Sequence, residues 1–372
     1  MSNRNYAFDL LRALATVSVV ALHASGPVLY SYGRIPAGEW WTANFIDSAV
    51  RYSVPAFLML TGALLLPRVE RTGSFLKKRF ARLLGPFLFW SLVYLAVALY
   101  FQPRGSGDWM SIVHRLQSGI SYHLWYVYML IGIYLILPVL QRWIAHAERR
   151  DQEYFLILWL VALFASQRFV APYLPDFNLM YFSGYIGYPV LGNYLNSYFR
   201  EETPSGNRKG IALFLLLAGF LVTFFATGWV SHTNHRFDQT FYEYLSFNVV
   251  AMATGVFLLV LPVNAEKTGS RTRVAIENIS RYSYGIYLSH VFVLKLATFL
   301  QWDLLVLKLI SYLQWDWLTD MVSGSGATQS GTTAMALHPA IGIPLLTVVT
   351  TLVAWGITRA LHQLPGGKYI SG

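Results

Sequence analysis

The chain has 372 residues, of which 55% are hydrophobic and only 12% charged, about half the charge of a soluble domain. Its net charge of +10 is scattered between apolar runs rather than gathered into one stripe, which argues against a nucleic-acid surface. With no cysteine, a disulfide framework, a thiolate metal site and a Cys nucleophile are all excluded.

Crossing the hydrocarbon core of a bilayer takes about 20 helical residues. Apolar runs of that order lie near 7–29, 44–66, 83–101, 122–141, 154–170, 180–198, 211–231, 241–262, 279–300 and 337–361. The expected fold is therefore an all-α integral membrane protein, a bundle of about ten transmembrane helices in a single domain over 1–372. Lys and Arg concentrate in alternate connections, at 67–82, 142–150, 199–210 and 263–281. Cytoplasmic loops carry the excess of positive charge, so both termini are expected in the cytoplasm.

The first run begins near Arg4 and passes through Ala24-Ser25-Gly26, which imitates a secretory leader. Asp9, Arg12 and His23 lie inside it and would weaken such a leader, so a retained helix is expected. Ionisable groups within a span are expensive and point to function. Eleven steps of about 100° bring Arg12 and His23 onto one face, about 16 Å apart along the axis. Asp9 is three residues before Arg12, placed for an ion pair. The plainer roles for these residues are an interfacial anchor and a core histidine.

Before the third run stands Lys77-Lys78-Arg79-Phe80-Ala81-Arg82. Arg79 and Arg82 share a helix face, and two forked guanidiniums at a membrane mouth suit phosphate. Lys77 and Lys78 read as ordinary cytoplasmic-side charge. The fourth run opens with Tyr122-His123-Leu124-Trp125-Tyr126 on the outer side. An interfacial aromatic belt accounts for the aromatics there, but not for His123. A histidine among aromatics also suits a sugar, whose apolar ring face packs on indole while its hydroxyls need polar partners. In Ser280-Arg-Tyr-Ser-Tyr-Gly-Ile-Tyr-Leu-Ser-His290, Tyr287 and His290 share a helix face near mid-membrane.

The outer connection 301–336 starts with a segment to Met321 that mixes Leu and Trp with charge, the pattern of an interfacial helix. It ends in a Ser/Gly/Thr-rich linker over 323–333. No metalloprotease, Walker or dinucleotide motif occurs, so no metal or nucleotide-hydrolysing chemistry is expected. The last forty residues offer no motif.

Taken together, several pieces resemble the membrane acyltransferase family 3, which O-acylates cell-envelope polysaccharides. They are Asp9-Leu-Leu-Arg12 with His23 after ten intervening residues, Val54-Pro-Ala-Phe-Leu-Met-Leu-Thr-Gly62, Arg79-Phe-Ala-Arg82 with Pro86, His123-Leu-Trp125 through Gly132, and Ser283-Tyr-Gly-Ile-Tyr287-Leu-Ser-His290. Each is modest alone; their order and placement on helices make the match specific. It looks nearest to the small standalone branch that includes the enterobacterial-common-antigen O-acetyltransferase, and it lacks the soluble esterase-like domain of some relatives.

The resemblance implies a bacterial inner-membrane enzyme that takes an acyl group, expected to be acetyl, from cytoplasmic acyl-CoA. The acceptor is a carbohydrate hydroxyl of a polysaccharide or its lipid-linked precursor. Carried over by position, His23, Arg12, Asp9, His290 and Tyr287 are the expected catalytic residues. Arg79, Arg82 and Arg12 are expected on the CoA phosphates, and His123, Trp125 and Tyr126 on the acceptor. His23 would act as a base or itself carry the acyl group, with Tyr287 or His290 donating to the oxyanion. A transporter or flippase for a lipid-linked sugar is the competing reading; it would move substrate without consuming acyl-CoA.

Overall fold

A computed structural model describes residues 5–100, 119–174, 184–199, 206–312, 323 and 336–372. Among these the fold is helical throughout, apart from one isolated bridge between Ser323 and Leu337. The helices are α1 Tyr6–Leu29, α2 Ala37–Val50, α3 Ser53–Leu65, α4 Thr72–Tyr100, α5 Trp125–His146, α6 Arg149–Ala165, α7 Gly187–Phe199, α8 Gly206–Thr233, α9 Phe247–Val260, α10 Ser270–Arg281, α11 Ser283–Phe299, α12 Trp302–Tyr312 and α13 Pro339–Gln363. Among the described residues, seven spans are long and apolar enough to cross a membrane, with α2 and α3 counted as one. An eighth is the pair α11 and α12, bent by 54° at their junction.

The difference from ten spans lies in α6 and α7. Their described lengths are 17 and 13 residues, below the roughly 20 that a typical span takes. Part of the run expected at 180–198 falls outside the described residues, as does the stretch after Pro175 that would join it to α6. The interfacial segment expected from 301 is present as α12 up to Tyr312. Its continuation to Met321, and the linker apart from Ser323, lie outside the described residues.

Helix α1 is the central element, touching α2, α3, α9, α10, α11 and α13. The Asn5 side chain caps it by accepting from the Ala7 amide at 3.2 Å. The α2–α3 span is broken at Arg51 and Tyr52 because Pro55 has no N–H to return to the Arg51 carbonyl one turn back. That break delivers Arg51 beside the centre of the bundle.

Lipid removes most of the hydrophobic drive between helices, so close backbone packing has to supply association. Helices α3 and α7 meet through glycines: a Cβ on Gly62 would lie 1.8 Å from the Pro189 carbonyl oxygen, and one on Gly192 2.0 Å from that of Met59. Gly192→Leu is expected to cost about 1–3 kcal/mol or more by forcing these backbones apart. The loss should read as a lower melting temperature of the solubilised protein. Gly132→Ala, in open space on α5, should melt like the parent.

Candidate active site

The end of the bundle holding the start of α1 carries a basic mouth. Asp9 is 3% exposed and accepts from the Ser280 hydroxyl at 2.5 Å; Arg12 Nη1 reaches the same hydroxyl at 3.1 Å and the Asp9 carboxylate at 3.5 Å. The acid and the guanidinium on α1 are thus locked to the last turn of α10. The ion pair expected from their spacing is present, and Ser280 is a third member. Arg12 lines a cavity of about 800 Å³ together with Lys78, Arg79 and Arg82 of α4.

Arg79 stacks over Phe75 at 5.3 Å, and its buried Nε has no hydrogen-bond partner among the described residues. Glu70 holds Lys78 at 2.7 Å and approaches Arg79 at 3.8 Å. The hydrogen bond from Lys78, with the charges around it, keeps the Glu70 carboxyl below its ordinary range. A depressed carboxyl favours the folded state above its unfolded pKa and loses that contribution as pH falls through the folded one. The mouth therefore holds Glu70 ionised at neutral pH, and cations still dominate its lining.

The C-terminal segment contributes residues that no motif announced. Its last turn, Gly367–Tyr369, is pressed onto α4 where a Cβ on Gly85 would meet the Tyr369 carbonyl oxygen at 2.3 Å. Lys368 and Tyr369 thereby join the cavity wall.

From the basic mouth the cavity extends inward to Tyr126 of α5 and Tyr287 of α11. Behind Tyr287 stand three histidines from three elements: His23 of α1, His123 of the 3₁₀ turn ahead of α5, and His290 of α11. His23 Nδ1 lies 2.8 Å from His290 Nε2, and His290 Nδ1 lies 2.5 Å from the Tyr287 carbonyl oxygen. A carbonyl only accepts, so His290 carries its proton on Nδ1 and offers a lone pair at Nε2. His23 must then donate through Nδ1, which leaves its Nε2 unprotonated. The tautomers are assigned from this network. His290 is fully buried and His123 is 1% exposed, whereas His23 is half-buried.

His123 pairs Nδ1 with the Ser121 hydroxyl at 3.1 Å; its Nε2 is buried without a partner of hydrogen-bond geometry among the described residues. The Tyr287 hydroxyl donates to the His123 carbonyl. The expectation that Tyr287 or His290 supplies a donor to an oxyanion therefore meets an obstacle: both already spend their protons on backbone carbonyls. The His123 ring also lies against the Leu288 carbonyl.

Trp125 and Tyr126 part company. One residue along a helix is a rotation of about 100°. Tyr126 faces the basic-mouth cavity, while Trp125 stacks on Tyr244 at 5.8 Å and 22° and lines a separate cavity with Arg51.

Two further residues complete the centre. Asp47, near the end of α2, and Arg51, the residue that ends it, form a buried i,i+4 pair, with Asp47 1% exposed. Asp47 also accepts from the Ser25 hydroxyl at 2.6 Å, two residues after His23. The Arg51 guanidinium lies 3.9 Å over the Tyr242 ring and within electrostatic reach of His23. An acid and a base four residues apart inside the second apolar run is the signal that finds them, by the same rule that marks Asp9, Arg12 and His23.

Among the described residues no group of His, Asp and Glu is disposed to hold a metal ion. A family model described as an acyltransferase domain, acyltransferase 3, matches residues 5–359. No curated protein and no solved structure matches the chain.

Proposed function

The chain belongs to acyltransferase family 3 and is a multi-pass membrane acyltransferase; from that premise we propose that it moves an acetyl group from cytoplasmic acyl-CoA to a hydroxyl of a cell-envelope glycan, with His23 as the base. The observation that carries this reading is the tautomer chain Tyr287 carbonyl–His290–His23, which leaves His23 Nε2 free to accept a proton. In this reading both termini face the cytoplasm, α6 and α7 complete a ten-span bundle, and the membrane is the bacterial inner membrane. In this reading the enzyme falls with the small standalone branch that includes the enterobacterial-common-antigen O-acetyltransferase, as the sequence resemblance implies.

Arg12, Arg79 and Arg82 take the donor's phosphates, with Lys78 and Lys368 beside them. The pantetheine arm follows the cavity toward Tyr126 and Tyr287, covering a distance like the ~16 Å between the Arg12 and His23 levels. His23 removes the acceptor's proton as its oxygen bonds to the thioester carbon. The carbon–sulfur bond then breaks, and the departing thiolate recovers the proton from His23. His123, whose ring lies 6.3 Å from that of His23, faces the developing oxyanion in this reading. The Asp9–Ser280–Arg12 lock fixes the level of α1 at the mouth.

A transporter needs an alternating passage, and the family match gives it no support. The test is purified protein in liposomes with radiolabelled acetyl-CoA and envelope glycans. Label is expected in the glycan fraction; movement of glycan without thioester loss overturns the reading. In the same assay Arg79→Ala with Arg82→Ala is expected to raise the donor KM. Each charged hydrogen bond is worth about 1.5–3 kcal/mol, so the rise should exceed roughly tenfold, with kcat far less affected.

A further inference from the structure

At the end of the bundle opposite the basic mouth, Arg51, Trp125, Tyr185, Gln239, Glu243 and Tyr244 line a cavity of about 360 Å³. Its walls are aromatic: Trp125 lies nearly parallel to Tyr244 at 5.8 Å, and Tyr185 tilts against Trp125 at the same distance. Arg51 is held from behind by Asp47 through Nε and touches the Tyr242 carbonyl at 3.4 Å through Nη1. Gln239 and Glu243 also line a second, open groove of about 680 Å³ with Arg168, Arg236 and Asp238, so the two spaces adjoin at these residues.

The charges here are balanced, unlike those of the mouth. Arg51 is neutralised by Asp47, and Arg168 lies 3.7 Å from Asp238. Arg236 and Glu243 are the remaining pair of opposite charges on the lining. Burial alone would raise the Asp238 carboxyl, but hydrogen bonds from Thr240 and Asn234, with Arg168 alongside, bring it below its ordinary range and keep it ionised. An anion entering this space meets no net positive charge. A ring with apolar faces and hydroxyl edges meets indole and phenol faces, and then a carboxylate, an amide and a guanidinium for the hydroxyls.

We propose that this cavity holds one uncharged sugar ring of the acceptor, and that the adjoining groove takes further units of the same oligosaccharide. The inference rests on the acyl-transfer reading for the identity of the bound glycan as acceptor. The size agrees, since 360 Å³ is at the low end of ligand cavities of ~300–1,000 Å³, room for a single ring rather than a chain. The position agrees too: Asp47 ties Arg51 to Ser25, so the cavity is joined to the turn of α1 that carries His23.

The test is retention of glycans by the purified full chain in nanodiscs, without acyl-CoA, on an array of neutral and uronic- or sialic-acid-containing oligosaccharides. Neutral glycans of two or more units are expected to be retained. Trp125→Ala should lower that retention roughly tenfold, as loss of a stacked aromatic face implies, and Trp125→Phe should restore most of it. Gly132→Ala, in open space on α5, should retain glycans like the parent. Preference for acidic glycans, no retention of any glycan, or undiminished retention by Trp125→Ala overturns the proposal. Neutral retention with no acetyl transfer would sink the chemistry and leave the cavity; transfer with no retention would do the reverse.

Discussion

His23→Ala is expected to lower acyl transfer by about 10²–10⁴-fold, the range that a positioned general base supplies. The measurement is label transfer from acetyl-CoA in liposomes, at saturating donor. The change should fall on kcat, since His23 is absent from the lining of the basic-mouth cavity proposed for the donor's phosphates. His290→Ala should give a smaller loss of the same kind. Without His290 Nε2 as acceptor, His23 is free to place its proton on either nitrogen. A His23→Ala protein that transfers at the parent rate would remove the base from the mechanism. A His290→Ala protein more impaired than His23→Ala would move the base to His290.

Asp47→Ala is expected to be the most destabilising single change near the centre. It leaves the Arg51 guanidinium in the bundle with the Tyr242 carbonyl and two aromatic rings but no counter-charge. Breaking a buried pair from one side costs about 3–5 kcal/mol. Replacing both members by apolar residues of similar size is often neutral by comparison. The double variant Asp47→Ala with Arg51→Met should therefore recover much of the melting temperature lost by the single one. It should not recover transfer, because Arg51 lines the cavity proposed for the acceptor. Equal melting of parent and Asp47→Ala would show that water reaches the pair.

The first helix was legible from sequence almost to the residue: an expected run of 7–29 against Tyr6–Leu29. Its polar face was legible too, because a helix within lipid has few reasons to hold Asp, Arg and His at one azimuth. The convergence of His23, His123 and His290 was not. They are far apart in the chain, and only the packing of α1 against α11 and the turn before α5 brings them together. The opposed fates of Trp125 and Tyr126 were hidden for a different reason. A motif written as a string has no azimuth, and these neighbours look into different cavities. Lys368 was out of reach because its role depends on Gly85 and Gly285 admitting the backbone of the last turn, which no local pattern records.

The bond from the Tyr287 hydroxyl to the His123 carbonyl also bears on the energised membrane in which the protein would work. Each elementary charge that crosses gains about 2.3 kcal/mol per 100 mV. A continuous aqueous pore between the two polar cavities would let protons and ions run down that gradient and discharge the cell. In the proposed reading, Tyr287 held on the His123 carbonyl would keep the bilayer insulating between turnovers, so that an acyl group changed sides without a current.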